Sequence, residues 1–178
     1  MKKVTIIAAM TASNQLMGNS ADNNIPWYCS EDFIHFKKTT TGSVMIMGHK
    51  TFKSLLGILP GRIHIVLSKS VSGCIGGVYY TSSLKKSLAL AKNLSNSDNI
   101  YIIGGAEIIK LALLENVVDE MIITKIYANI DLGKKSVFFP PISDQWEVTE
   151  ESEIMISKKS KPENLEYQMI TYNKKIKN

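Results

Sequence analysis

The sequence predicts an α/β domain with a mainly parallel sheet closed by an antiparallel hairpin. Three observations lead there. Apolar runs such as Val4–Met10, Ser43–Met47 and Ile100–Ile103 are nearly unbroken, as in strands covered on both faces. Helical stretches such as Leu84–Leu94 alternate with them, the order of parallel strand–helix–strand units. Two long strand-like segments, Trp146–Ile156 and Leu165–Tyr172, then follow across the polar turn Lys158–Asn164. The 178 residues form one domain, 1–178, with no internal repeat or linker. A chain of that length buries roughly two-thirds of its unfolded surface.

Element by element, Val4–Met10 is the first strand and Thr11–Ile25 a long polar loop with Gly18 and four Asn. A structureless loop of that length is usually functional. Ser30 caps a helix that carries Glu31 and Asp32 in its first turn, with Phe33 and Phe36 spaced i, i+3 along it. Ser43–Met47 is a strand, and Gly48 opens a short helix around Thr51–Leu56. Ile63–Leu67 and Val78–Tyr80 are strands, and Leu84–Leu94 is a helix. Ile100–Ile103 runs into Gly104-Gly105, followed by a helix over Glu107–Glu115 and a strand over Glu120–Tyr127. Phe138-Phe139-Pro140-Pro141 breaks the pattern, and Lys174–Asn178 is a solvated basic tail.

With 44% hydrophobic and 21% charged residues, general disorder, collagen-like repeats and a disulfide scaffold are excluded. Two cysteines, Cys29 and Cys74, and the lack of a secretory pattern predict a reduced, cytoplasmic protein. No apolar stretch approaches the roughly 18 residues of a membrane span. Residues 1–97 hold eleven Lys or Arg against three acids, whereas residues 98–178 hold ten Lys against thirteen acids. A basic half suits an anionic partner such as a nucleotide, a carboxylate or nucleic acid, and is equally compatible with none. Of the 21 cationic side chains only Arg62 is arginine. Its planar fork grips a carboxylate in a way that lysine cannot copy.

In open α/β sheets ligands bind beyond the carboxyl ends of the strands. The Thr11–Ile25 loop, Gly48–Thr51, Ser68-Lys69 and Gly104–Ala106 all fall there. Glycine turns into helices leave amides free for phosphate, and His49, Lys50 and Lys69 add charge. Two phosphate sites with spare cations suit NADP. Gly-Gly-Ala alone also reads as a tight turn into a helix, since it is not the full dinucleotide fingerprint. Asp32 lies beside the Phe33/Phe36 stripe, whereas Glu31 points toward water. A carboxyl group against Phe36 and Trp27 is desolvated and could accept two N–H bonds from a heterocycle. First-turn acids also simply offset the helix dipole. His35, His49 and His64 lack metal-ligand spacing, no nucleophile elbow or phosphate loop is present, and Cys29 reads as a small apolar residue. No metal is expected.

Taken together, these residues resemble a known family. Ile7-Ala8-Ala9, Ile25-Pro26-Trp27 followed by Asp32 and Phe36, Met47–Thr51, Leu59-Pro60-Gly61-Arg62, Ile103–Glu107, Thr124 and Phe138-Phe139-Pro140 follow the order and spacing of bacterial-type dihydrofolate reductases. The resemblance runs from about residue 4 to the end. It implies a three-layer α/β fold around an eight-stranded mixed sheet with about four helices. It also implies NADPH-dependent reduction of 7,8-dihydrofolate to tetrahydrofolate, with hydride to pterin C6 and a proton to N5, in support of one-carbon metabolism and thymidylate synthesis. The catalytic set it implies is Asp32, Thr124 and Trp27. Ile7, Ala8, Asp32, Phe33, Phe36, Leu55, Leu59, Arg62, Ile103 and Thr124 match the substrate site, with Arg62 on the glutamate-tail carboxylate. Ala9, Met17, Gly18, Asn19, Gly48, His49, Lys50, Thr51, Leu67, Ser68, Lys69, Ile103, Gly104, Gly105, Ala106, Glu107 and Ile108 match the NADPH site. The Thr11–Ile25 loop would act as its lid. The resemblance further implies a monomer that binds antifolate inhibitors and needs neither nucleic acid nor membrane.

The chain departs from that pattern at several points. His49 stands where Arg is common, Cys29-Ser30 replaces Leu-Pro, Phe52 a frequent Trp, Ile109 an aromatic, and Ser136-Val137 an Asp-Thr that braces the lid. Two other readings remain open at this stage. One is the pyrimidine reductase of riboflavin biosynthesis, which shares the fold and cofactor. The other is a non-catalytic nucleotide- or RNA-binding module, which leaves Asp32 without a role.

Overall fold

The computed structural model describes residues 2–55 and 57–175. Its framework is a twisted mixed sheet. The strands in chain order are β1 (Lys3–Thr11), β4 (Val44–Gly48), β5 (Ile63–Leu67), β7 (Val78–Thr81), β8 (Asn99–Gly104), β9 (Glu120–Tyr127), β11 (Trp146–Glu151) and β14 (Glu166–Lys174). They lie in the order β11-β14-β9-β1-β8-β4-β5-β7. Every neighbouring pair from β9 to β7 is parallel, and β14 turns antiparallel against both β9 and β11. These are the eight expected strands. Two short edge segments, β6 (Gly73–Ile75) on β7 and β12 (Met155–Ile156) on β14, lengthen the sheet to ten.

Helices α1 (Ser30–Thr40), α2 (His49–Ser54), α3 (Leu84–Leu94) and α4 (Ala106–Leu114) follow the strands they were predicted to follow. The core agrees with the apolar runs: Ile6, Val44, Ile46, Ile65, Ile100, Ile102 and Ile123 have no exposed surface. Each such side chain contributes roughly 1.5–3 kcal/mol on burial. The segments Ile63–Leu67, Leu84–Leu94 and Glu120–Tyr127 have the predicted boundaries.

Four details differ from expectation. Cys29, not Ser30, is the N-cap of α1, and no side chain caps it. Ser30 is instead the first helical residue, with its hydroxyl turned to Glu31. The predicted loop Thr11–Ile25 contains a strand, β2 (Leu16–Asn19), paired antiparallel with β10 (Ser136–Phe138), just where the pattern was expected to break. Only the partner strand, 120 residues on, makes this segment regular, which no local pattern reveals. The segment Trp146–Ile156 is not one strand: β11 carries a bulge between Val148 and Glu150, and residues 152–154, where Ser152 Oγ accepts from Met169 N–H, separate it from β12. The turn Lys158–Asn164 holds β13 (Ser160–Lys161), which pairs with β3 (Tyr28–Cys29). Leu56, expected in α2, and residues 176–178 of the basic tail lie outside the described residues.

Candidate active site

The parallel strands β1, β8, β4 and β5 deliver their carboxyl ends to one rim. Ala9, Gly104, Gly48 and Ser68 stand there or one residue beyond. Just before α1 the chain passes through Trp27, which is buried against Leu16 of β2, Cys29, Ile126 and Tyr167. Strand β2 and the start of α1 thus share one apolar anchor.

Asp32 sits in the first turn of α1. Burial pushes its carboxyl pKa above the ordinary value, and the hydroxyl of Thr124 donates toward it and partly offsets that rise. Thr124 is buried on β9, opposite Ala9 of β1. A carboxyl held in this way retains a proton at higher pH than a solvated one and keeps acceptor capacity beside it.

An apolar recess adjoins this group. Phe36, Leu55, Leu59 and Ile103, all named from the sequence, pack with Phe52 and Tyr80 over buried Met45, Met47, Val66 and Val78. Phe33 is not among them. It is 46% exposed and stacks on Tyr28 with ring centroids 5.3 Å apart. Ile7 is buried on β1 and Ala8 half-buried next to it.

Arg62 lies at the outer edge of the recess, on the turn before β5. Its Nη1 donates to Thr40 Oγ1 at 3.2 Å and its Nε to the Pro60 carbonyl at 3.2 Å. The turn is anchored by Gly42 N–H donating to Gly61 O at 2.7 Å, and by Leu59 N–H donating to His64 Nε2 at 3.1 Å.

On the other side, the amino ends of α2 and α4 meet. A Cβ on Gly48 would stand 3.2 Å from Ile108 Cγ1, and one on Gly105 would stand 3.2 Å from Thr51 Oγ1. Gly104 has φ +120°, a conformation L side chains rarely adopt, and a cis peptide joins it to Gly105. The two glycine turns therefore pack backbone to side chain, and the first amides of α4 have no acceptor inside the helix. His49 is half-buried with its ring edge-on to Tyr80 at 6.4 Å, while Lys50 and Lys69 are exposed and Ser68 is buried on the same rim. Leu67 ends β5 there, and Ala106, Glu107 and Ile108 form the first turn of α4. Met17, Gly18 and Asn19 belong to β2, with Gly18 opposite Val137 and Asn19 opposite Ser136. Among the described residues, no group of three or more His, Cys, Asp or Glu side chains gathers as a metal site would require. None of the helices among the described residues is long and apolar enough to cross a membrane.

Two residues beside the site take places that the sequence did not suggest. Glu31 does not point to water. Its carboxylate accepts from Ser157 Oγ at 2.5 Å, Ser30 Oγ at 2.9 Å and Lys158 N–H at 3.0 Å. Burial opposes its charge, but these donors outweigh it and hold the pKa down to about 2. His64 is fully buried in β5. The one available signal was its position inside the apolar run Ile63–Leu67, where a polar side chain must find a partner.

A sequence profile described as dihydrofolate reductase matches residues 3–174. The dihydrofolate reductase of Neisseria gonorrhoeae is 37% identical over 161 residues, covering 89% of this chain and 93% of that protein. That of Neisseria meningitidis serogroup A is 36% identical over the same span and coverage. The dihydrofolate reductase of Bacillus subtilis is 31% identical over 173 residues, covering 97% and 95%. With the fold, the apolar recess and the convergent glycine turns in place, the chain belongs to the dihydrofolate reductase family of oxidoreductases.

Proposed function

We propose that this chain reduces 7,8-dihydrofolate to 5,6,7,8-tetrahydrofolate with NADPH, and that Asp32 is its proton-handling group. The observation that carries this reading is the desolvated Asp32 carboxyl, backed by Thr124, beside the recess of Phe36, Leu55, Leu59 and Ile103. A flat heterocycle with an amidine-like edge satisfies such a carboxyl with two N–H donors. Phe36, Leu55 and Ile103 exclude water and hold the ring, Leu59 faces the tail, and Asp32 keeps a proton available near the pterin N5. Ile7 and Ala8 supply backbone and small side chains at the end of β1, Phe33 with Tyr28 forms the outer wall, and Arg62 receives the carboxylate of the glutamate tail. Trp27 fixes the approach of the lid to α1.

NADPH fits the opposite side of the rim. Bare glycine turns at Gly48 and Gly104-Gly105 give the phosphates room, and the α4 amides of Ala106 and Glu107 are free for them, with Ile108, whose N–H donates to the Gly105 carbonyl, packed behind. His49, Lys50, Thr51, Ser68 and Lys69 would hold the charged end, Leu67 the adenine side, and Ala9, Met17, Gly18, Asn19 and Ile103 the nicotinamide side. When bound, the cofactor supplies the hydride. We read the chain as a cytoplasmic monomer of one domain whose recess also takes antifolates.

The test follows absorbance at 340 nm with NADPH and dihydrofolate. Wild-type protein should consume NADPH, and Asp32→Asn should lose roughly 10²–10⁴-fold in turnover at neutral pH while keeping NADPH binding. No consumption by folded wild-type protein, or full turnover by Asp32→Asn, would overturn the reading.

A further inference from the structure

We infer that His64, buried beneath the site, is the positioning residue that holds the substrate-tail turn Leu59–Arg62 in its binding geometry. The inference rests on the reading of Leu59 and Arg62 as substrate-binding. His64 lies in the second position of β5, fully buried, with its side chain beneath that turn. Its Nε2 accepts the Leu59 N–H at 3.1 Å. An imidazole can accept at Nε2 only when neutral, so the proton sits on Nδ1. Burial pushes its pKa below the ordinary value, the Arg62 charge pushes the same way, and the Arg62 backbone offsets a part. The ring is therefore kept in the accepting form. Its ring and that of Phe52 of α2 cross at 67° with centroids 6.2 Å apart, so the ring cannot swing away without disturbing the recess.

The bond matters because the turn has few other ties. Gly61 is bound through its carbonyl to Gly42, and Arg62 reaches back to Thr40 at the end of α1. Leu59, the recess-lining member, is fixed through its backbone N–H by His64. Without that acceptor, Leu59 and the chain leading to Arg62 gain freedom, and the orphaned amide prefers water over its present place. The loss falls on the part of the substrate that Leu59 and Arg62 touch. It spares the pterin ring, which Asp32 and Thr124 hold from α1 and β9. His64 thus sets recognition of the carboxylate-bearing tail without contacting it.

Steady-state kinetics on two substrates separates this role from a merely structural one. His64→Leu should raise KM for dihydrofolate about tenfold, equivalent to about 1.4 kcal/mol, and leave kcat within about twofold. KM for a dihydropterin that lacks the benzoyl-glutamate tail should not change. His64→Gln places an amide oxygen where Nε2 stands and should restore most of the dihydrofolate KM. Should His64→Leu fail to fold, His64→Met takes its place with the same expected outcome. Equal KM rises for both substrates, or a dihydrofolate KM unaffected by loss of the acceptor, would overturn the inference. Failure of the wild-type protein to turn over either substrate would instead refute the reductase reading.

Discussion

Replacing Glu31 with Ala tests how firmly the first turn of α1, and with it Asp32, is tied to the C-terminal hairpin. Glu31 accepts three hydrogen bonds, from Ser157 Oγ, Lys158 N–H and Ser30 Oγ. Two of these donors lie in the segment before β13, whose Lys159 carbonyl also accepts from Ser30 N–H at 3.0 Å. A buried hydrogen bond to an ionised group contributes ~1.5–3 kcal/mol. Water replaces part of that at the edge of the molecule, so the three together should be worth about 2 kcal/mol. For a domain of this size that lowers Tm by roughly 4–8 °C. The pH dependence has a definite sign. The carboxyl pKa is lowered in the folded state, from 4.5 to about 2, so its contribution is complete well above pH 4.5 and is lost as pH falls through about 2. Urea unfolding of wild type and Glu31→Ala at pH 7, 5 and 3 measures the difference directly, and less than half of it should survive at pH 3. A double-mutant cycle with Ser157→Ala should show strong non-additivity. A Tm unchanged at pH 7, or a difference that stays constant down to pH 3, would refute this account of Glu31.

Three other substitutions probe the site. Asp32→Asn should unfold at a higher temperature than wild type at pH 8 by calorimetry. A carboxyl whose folded pKa is raised binds its proton more tightly when folded, so ionising it at high pH costs stability that an amide does not. Thr124→Val removes the donor that lowers the Asp32 pKa, and the alkaline limb of the pH–kcat/KM profile, where Asp32 loses its proton, should move to higher pH. Gly105→Ala puts a methyl group 3.2 Å from Thr51 Oγ1, and NADPH affinity, read by fluorescence titration, should weaken by about tenfold or more while the fold survives.

What the sequence disclosed and what it hid follow from the range of the interactions involved. The strands β1, β4, β5, β8 and β9 were legible because residues such as Ile46 and Ile102 are buried on both faces and so form unbroken apolar runs. The glycine turns and Asp32 were legible because each joins a local signal to a fixed place in a parallel sheet. Long-range pairing was not legible. Leu16–Asn19 becomes a strand only through Ser136–Phe138, and Tyr28–Cys29 only through Ser160–Lys161. Glu31 was misjudged for the same reason: helical geometry places it off the apolar stripe, and its partners Ser157 and Lys158 are more than 120 residues away. Phe33 shared the stripe with Phe36 by spacing, yet at the edge of the helix it found Tyr28 in place of the recess. Ser30 lost the capping role because the extended pairing of Tyr28–Cys29 with β13 sets where the helix begins.

The anchoring of α1 explains why its two adjacent acids behave oppositely. Asp32 and Glu31 are neighbours in one turn, so backbone position and helix dipole act on both alike. Their pKa values nonetheless move apart, one raised and one held near 2. The difference lies in what each carboxylate faces. Glu31 meets three donors from its own turn and from the hairpin, whereas Asp32, half-buried, has its carboxyl desolvated with a single hydroxyl partner on β9. A carboxylate so bonded stabilises the fold and has little acceptor capacity left for a ligand. An under-satisfied one is costly in the empty site and therefore has a bond to gain when a donor-bearing ring arrives. The stability given up at Asp32 is offset next door at Glu31, so the turn that must present an unsatisfied acid is pinned by a satisfied one.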